Sequence, residues 1–194
     1  MHLKKYIIIL CSLIFITACT SKDNYLIQNI DFNNYKNIKI DASKLIVDKL
    51  YISTLSDPYI DHIVKQNLVS LLSEWATARL KPVQVNNAGM IKVIIHNASI
   101  KALPLNQNIK VENLFISDAA INIEMNLEVT IDLLDNVGNK LSYVDIKVFK
   151  SQELGDNISL LEKDYQIQEM SRSLFKDFDN LAIKKIQEIF YKYL

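Results

Sequence analysis

Across residues 121–133 apolar and polar positions alternate without a break. Ile121, Ile123, Met125, Leu127, Val129, Ile131 and Leu133 fall on one parity, and Asn122, Glu124, Asn126, Glu128, Thr130 and Asp132 on the other. Successive side chains of a strand point to opposite faces, so this run predicts a strand buried on one side and wet on the other. Asp135-Asn136-Val137-Gly138-Asn139 supplies turn residues, and residues 141–149 return with Val144, Ile146 and Val148 inward, completing an antiparallel hairpin. An earlier strand carries Ile91, Val93 and Ile95, but its apolar parity shifts at Ala98 and Ile100; a bulge near His96-Asn97 accounts for the change. Before it, Ile38, Ile40, Leu45, Val47, Leu50 and Ile52 favour extended chain, with a first strand over residues 45–53 that Asp57-Pro58 closes.

Helical spacing takes over at Tyr59 or Ile60, where Ile63, Val64, Leu68, Leu71, Leu72, Trp75 and Leu80 recur on one side and Pro82 is the stop. A second, longer helix opens on Ser159-x-x-Glu162, a capping-box spacing, and carries the stripe Ile167, Met170, Leu174, Phe178, Leu181, Ile186, Ile189 and Tyr193. Two striped helices and a meander with one apolar face can bury one another. The expected fold is α+β, a two-layer sandwich with two helices packed on one face of a four-stranded, mainly antiparallel sheet in the order β-α-β-β-β-α.

The start of the chain follows a different logic. Lys4 and Lys5 precede an almost wholly apolar run over residues 6–16, which polar Thr20-Ser21-Lys22-Asp23 cuts short. A membrane-spanning helix needs about 17–25 apolar residues, whereas the core of a secretory signal needs roughly 7–15. At the end of the run stands Ile16-Thr17-Ala18-Cys19, which resembles the lipobox of bacterial lipoproteins: a branched aliphatic, two small residues, then cysteine. In that family the thiol takes a diacylglycerol, the peptide is cut before the cysteine, and the new amino group is acylated. The resemblance implies a signal peptide over residues 1–18 and a lipid-bearing Cys19. An Asn-rich tether over residues 19–37 then leads to a single periplasm-facing domain over residues 38–194. Thr20 in place of aspartate after the cysteine is similar to the enterobacterial signal for transfer to the outer membrane. Two or three acyl chains anchor stably where one is marginal.

The whole chain has 22 basic and 22 acidic residues; loss of Lys4 and Lys5 leaves 20 against 22, a formal charge of −2. That balance offers no basic excess for phosphate backbones and argues against nucleic acid as a partner. Cys11 and Cys19 are the two cysteines, so removing the first and acylating the second leaves no disulfide, and stability falls to the core. Three glycines in the chain leave little for phosphate-cradling loops.

Asp61-His62, with His96 elsewhere, is the one place where metal or acid–base chemistry comes into view. Zinc wants three or four convergent ligands and no such spacing occurs; Asp61 near a helix start has a structural use at the positive end of the helix dipole. Gly-x-Ser-x-Gly, His-Glu-x-x-His and phosphate-loop motifs are absent. No catalytic residue, metal or cofactor is expected. Trp75 and Arg79, four apart, share a helix face; the favoured arrangement packs Trp75 on the sheet with the Arg79 stem over it and its head in water, ahead of a ligand site. The connection over residues 102–118 is long and apolar, with Leu103, Leu105, Ile109, Val111, Leu114, Phe115 and Ile116. It reads equally as a partner-docking surface centred on Leu114, Phe115 and Ile116, or as an extra edge strand or a segment tucked under a helix.

Pro58-Tyr59-x-Asp61-His62, Trp75-Ala76-x-x-Arg79-Leu80-x-Pro82-Val83 and Ala98-Ser99-Ile100 together resemble a family of uncharacterised proteobacterial lipoproteins, over roughly residues 50–134. That family brings no established activity. More remotely, anchor and element order are similar to LPS-assembly and ABC-transport auxiliary lipoproteins, which partner envelope machines that move lipids. The resemblance implies a non-enzymatic, membrane-anchored accessory lipoprotein of the cell envelope that docks a transport or assembly partner through a sheet edge or the 102–118 connection. The alternative is a lipid-binding or lipid-shuttling protein that uses the gap between helices and sheet. Cys19→Ser is expected to leave an unprocessed, unacylated precursor; wild-type membrane extraction and gel mobility in this variant would contradict the lipobox.

Overall fold

The computed structural model describes residues 29–86, 89–105, 120–156 and 158–194. Its elements run β1 (Ile38–Ile40), β2 (Lys44–Lys49), α1 (Leu68–Arg79), β3 (Leu80–Pro82), β4 (Met90–Pro104), β5 (Ile121–Leu134), β6 (Lys140–Leu154) and α2 (Leu160–Ile189), closed by a 3-10 turn at Tyr191–Tyr193. Cys19 and the segment holding Leu114, Phe115 and Ile116 lie outside the described residues.

Strand β5 organises the sheet. Its seven apolar side chains from Ile121 to Leu133 are all buried, while the polar residues between them sit on the opposite, wetter face. The main sheet runs β2-β4-β5-β6, with β2 parallel to β4 and the two later pairings antiparallel. This is the expected α+β architecture, in which one parallel pair makes the sheet mixed. Parallel neighbours require a crossover, and α1 lies on it between β2 and β4.

The ladder between β4 and β5 breaks where the apolar parity changes. Ile95 pairs with Val129, but Asn97 pairs with Glu128 and Ala98 with Leu127, leaving His96 as the extra residue. One inserted residue moves the inward set from Ile91, Val93 and Ile95 to Ala98, Ile100 and Ala102, all buried. At the hairpin, Gly138 takes a φ of 93°, and Asp135 Oδ1 accepts from the backbone N–H groups of Val137 and Asn139. Strand β6 then pairs with β5 along its length, with Val144 and Ile146 buried and Val148 partly so.

Helix α2 begins as its spacing predicts, Ser159 Oγ accepting from Glu162 N at 3.2 Å. Ile167, Met170, Leu174, Phe178 and Ile186 are buried, together with Phe175 and Ala182. Ile189 is exposed, and Tyr193 falls in the terminal turn, where its carbonyl accepts from Asp41 N at 2.7 Å. Among the described residues no helix is long and apolar enough to cross a membrane.

Three expectations are corrected. Helix α1 starts at Leu68, capped by the Asn67 side chain, rather than at Tyr59 or Ile60. The apolar residues before it are spent along the edge of β4, where Ile60 N donates to Ile100 O and Ala102 N donates to Pro58 O. Strand β2 ends at Lys49 rather than reaching residue 53, because the N–H groups of Leu50 and Tyr51 both turn to Ile95 O beside the bulge. The helix stops at Arg79, before Pro82, and β3 pairs in parallel with β1 as a separate two-stranded sheet.

The register has a direct check. Met125→Asp or Leu127→Asp puts a charge on the covered face and is expected to unfold the domain or cost several kcal/mol, roughly 3 or more. Glu124→Lys or Asn126→Lys is expected to change stability by under about 0.5 kcal/mol. Similar urea midpoints for the two groups would contradict the assignment of faces.

Candidate functional site

Trp75 and Arg79 do share a helix face, and that face looks at α2. Trp75 Nε1 donates to Asp179 Oδ1 at 2.8 Å; Arg79 Nε donates to the same oxygen at 2.7 Å and Nη2 to Oδ2 at 3.2 Å. The Trp75 ring meets Phe178 edge-on with centroids 4.8 Å apart, and the Arg79 guanidinium lies 5.4 Å from the Tyr35 ring centre. Arg79 and Asp179 are both buried, so the expected arrangement with the guanidinium in water is corrected. A charge taken out of water needs a partner and hydrogen bonds, and here one carboxylate serves both groups. Asp179 was not singled out in the sequence; the signal was an acid beside Phe178 on the covered side of α2.

Asp61 is likewise spent on structure, but not at a helix start. Its Oδ2 accepts from the hydroxyls of Tyr51 (2.7 Å) and Ser53 (2.6 Å), and its Oδ1 from Ile100 N (2.8 Å). Burial first, then the hydrogen bond to Asp61 and its charge, push the Tyr51 phenol well above its ordinary 10.0, so it stays a donor. The carboxylate thereby fixes the coil of residues 50–64 against a stretch of β4 that β2 does not reach. His62 is exposed in that coil, and His96 Nε2 lies 2.9 Å from Thr130 Oγ1 at the bulge. Among the described residues no group of three or more His, Cys, Asp or Glu could hold a metal ion.

Between the coil of residues 64–66, β4 and α2, a cavity of about 20 Å³ is lined by Val64, Lys65, Gln66, Ile100, Asp164, Ile167, Gln168 and Ser171. That volume suits a single water rather than an acyl chain. Candidate function therefore moves to the surface. Of the 102–118 connection, Ala102, Leu103 and Pro104 belong to β4, and Leu105 is exposed with its N–H on Ala120 O at 3.2 Å.

The outer side of β6 carries the more developed surface. Leu141, Tyr143 and Phe149 are exposed and share the parity opposite to buried Val144 and Ile146. Among the described residues no backbone pairs with the outer edge of this strand, where Lys185 Nζ reaches Asp145 O at 2.6 Å. Lys140, Lys147 and Lys150 are each ion-paired, to Asp132, Glu128 and Asp177. Lysines on a strand edge discourage unselective pairing.

No protein-family model and no curated protein matches the chain. Similar solved structures include a minor lipoprotein from Acinetobacter baumannii, 16% identical with a TM-score of 0.37, covering 77% of this chain and 92% of that one. Another is the rare lipoprotein B from Shewanella oneidensis, 14% identical with a TM-score of 0.39, covering 74% of this chain and 97% of that one.

Asp179→Ala is expected to cost about 3–5 kcal/mol in urea unfolding, since it leaves a guanidinium buried without its counter-charge. A loss of under about 1 kcal/mol, the range of an exposed pair, would contradict the burial.

Proposed function

We propose that this chain is a non-enzymatic, lipid-anchored accessory protein of the cell envelope, held on the periplasmic side of the outer membrane by acylated Cys19, that docks a transport or assembly partner along β6. The anchor rests on Ile16-Thr17-Ala18-Cys19 directly after the apolar run. The docking role rests on one observation: a long strand, unpaired on its outer side among the described residues, presents Tyr143 and Phe149 to solvent. Exposed aromatics on a rigid strand make good anchors because they bring large contact area with little side-chain entropy to lose, and such anchors dominate interface energetics.

The polar groups that first drew attention support a role without chemistry of its own. Asp61, Arg79 and Asp179 are each engaged in buried hydrogen bonds that hold elements together. The small cavity between the coil, β4 and α2 has no room for an acyl chain.

Affinity capture of the acylated protein from native membranes tests the docking. Tyr143→Glu with Phe149→Glu is expected to reduce capture of the partner at least about tenfold, as loss of aromatic anchors does, with an unchanged thermal midpoint. Undiminished capture would contradict it. Leu114→Ser with Phe115→Ser is the comparison: loss of capture in that pair alone would move the docking surface to the 102–118 connection.

A further inference from the structure

The coil of residues 50–63 combines two properties that rarely occur together. Its backbone is fastened: Asp61 binds Tyr51, Ser53 and Ile100, Ile60 is fully buried, and Ala102 N holds Pro58 O. Yet Leu50, Ile52, Leu55 and Ile63 are 61%, 84%, 75% and 53% exposed. Scattered exposed aliphatics are ordinary, but four on one short, pinned, irregular segment form a surface that calls for a cover.

The path of the chain identifies the cover. Asn29 and Ile30 line a surface depression with Lys65, Gln66 and Asn67, which begin two residues after Ile63, and with Ser70, Leu71 and Glu74 of α1. The described chain therefore emerges beside this coil. Asn29 lies ten positions after Cys19, and ten residue steps span at most about 35 Å even when fully extended. A lipid on Cys19 thus keeps a bilayer within reach of the coil at all times, as a tether raises the effective concentration of whatever lies at its far end.

We propose that this coil is a lipid-contact surface, with Leu50, Ile52, Leu55 and Ile63 resting in the headgroup region of the bilayer that holds the Cys19 acyl chains. The proposal builds on the lipid anchor and deepens it, adding a defined orientation to the attachment. Apolar side chains at such a boundary settle roughly 5–10 Å into it. Lys49 and Lys101 flank the coil, and Lys65, ion-paired to Asp164, follows it, against a single exposed carboxylate within the coil, Asp57, which suits a surface containing anionic lipid. The coil occupies the same edge of β4 as β2, whereas β6 lies beyond β5 on the other side. Seating the coil on lipid leaves the outer edge of β6 pointing away from the membrane, two strand spacings or roughly 10 Å further out than β4.

Fluorescence quenching by lipid tests this directly. Trp75 is the one tryptophan of the chain and is fully buried, so wild type sets a baseline. Full-length, acylated Ile52→Trp and Leu55→Trp proteins go into phosphatidylethanolamine–phosphatidylglycerol vesicles with brominated acyl chains. Val137→Trp, exposed in the β5–β6 turn, is the control. The expected result is quenching several-fold stronger in the two coil variants than in the control. Vesicle flotation of all variants, read alongside, separates the anchor from the coil. Protein that floats but is quenched no more at the coil than at the turn overturns the lipid-contact surface and leaves the anchor standing. If such protein also loses an envelope partner on capture, the coil meets protein instead, and the proposal fails. Protein that does not float overturns both.

Discussion

A sheet with one apolar face must be covered, and β5 makes that constraint strict by burying seven large side chains in a row. The cover consists of two helices, one of twelve residues and one of thirty. Asp179 couples them: one oxygen takes both the Trp75 indole and the Arg79 Nε, and the other takes Arg79 Nη2. Apolar packing alone tolerates sliding between helices, whereas a buried carboxylate with three directional bonds accepts one arrangement. Phe32 extends the same assembly toward the N-terminus, its ring 5.5 Å from Phe175.

The edges of the sheet obey a related requirement, because unpaired backbone groups invite partners. On one side β2 covers only the first part of β4, and the coil held by Asp61 finishes the job with carbonyls, amides and a carboxylate. On the other side no strand pairs with β6 among the described residues, and α2 reaches it only through side chains, Lys185 Nζ on Asp145 O and Asp177 on Lys150. Asp61, Arg79 and Asp179 are occupied in holding elements together, and the two proposed contact surfaces lie outside, an apolar coil at one edge and an aromatic strand at the other.

Much of this was legible in the chain because its signals are local. Strand alternation over residues 121–133, the turn at Gly138, the parity switch at His96 and the Ser159 cap each depend on neighbours within a few residues. The Arg79–Asp179 bond joins residues 100 positions apart, and nothing in the spacing of Trp75 and Arg79 says what they face. Residues 59–67 imitate a helix because edge-covering coil also buries apolar residues at irregular intervals. Strands β1 and β3, three residues each, are too short for a period to show. Tyr143 and Phe149 are readable as outward once Val144 and Ile146 are placed inward, whereas Leu114, Phe115 and Ile116, the more apolar run, lie outside the described residues.

Site-specific photo-crosslinking in living cells tests the central claim of function at two opposed surfaces most directly, with one photoreactive side chain at position 52 and another at position 149. The account predicts lipid adducts from position 52 and a discrete protein adduct from position 149. Protein adducts from position 52 together with none from position 149 would contradict it.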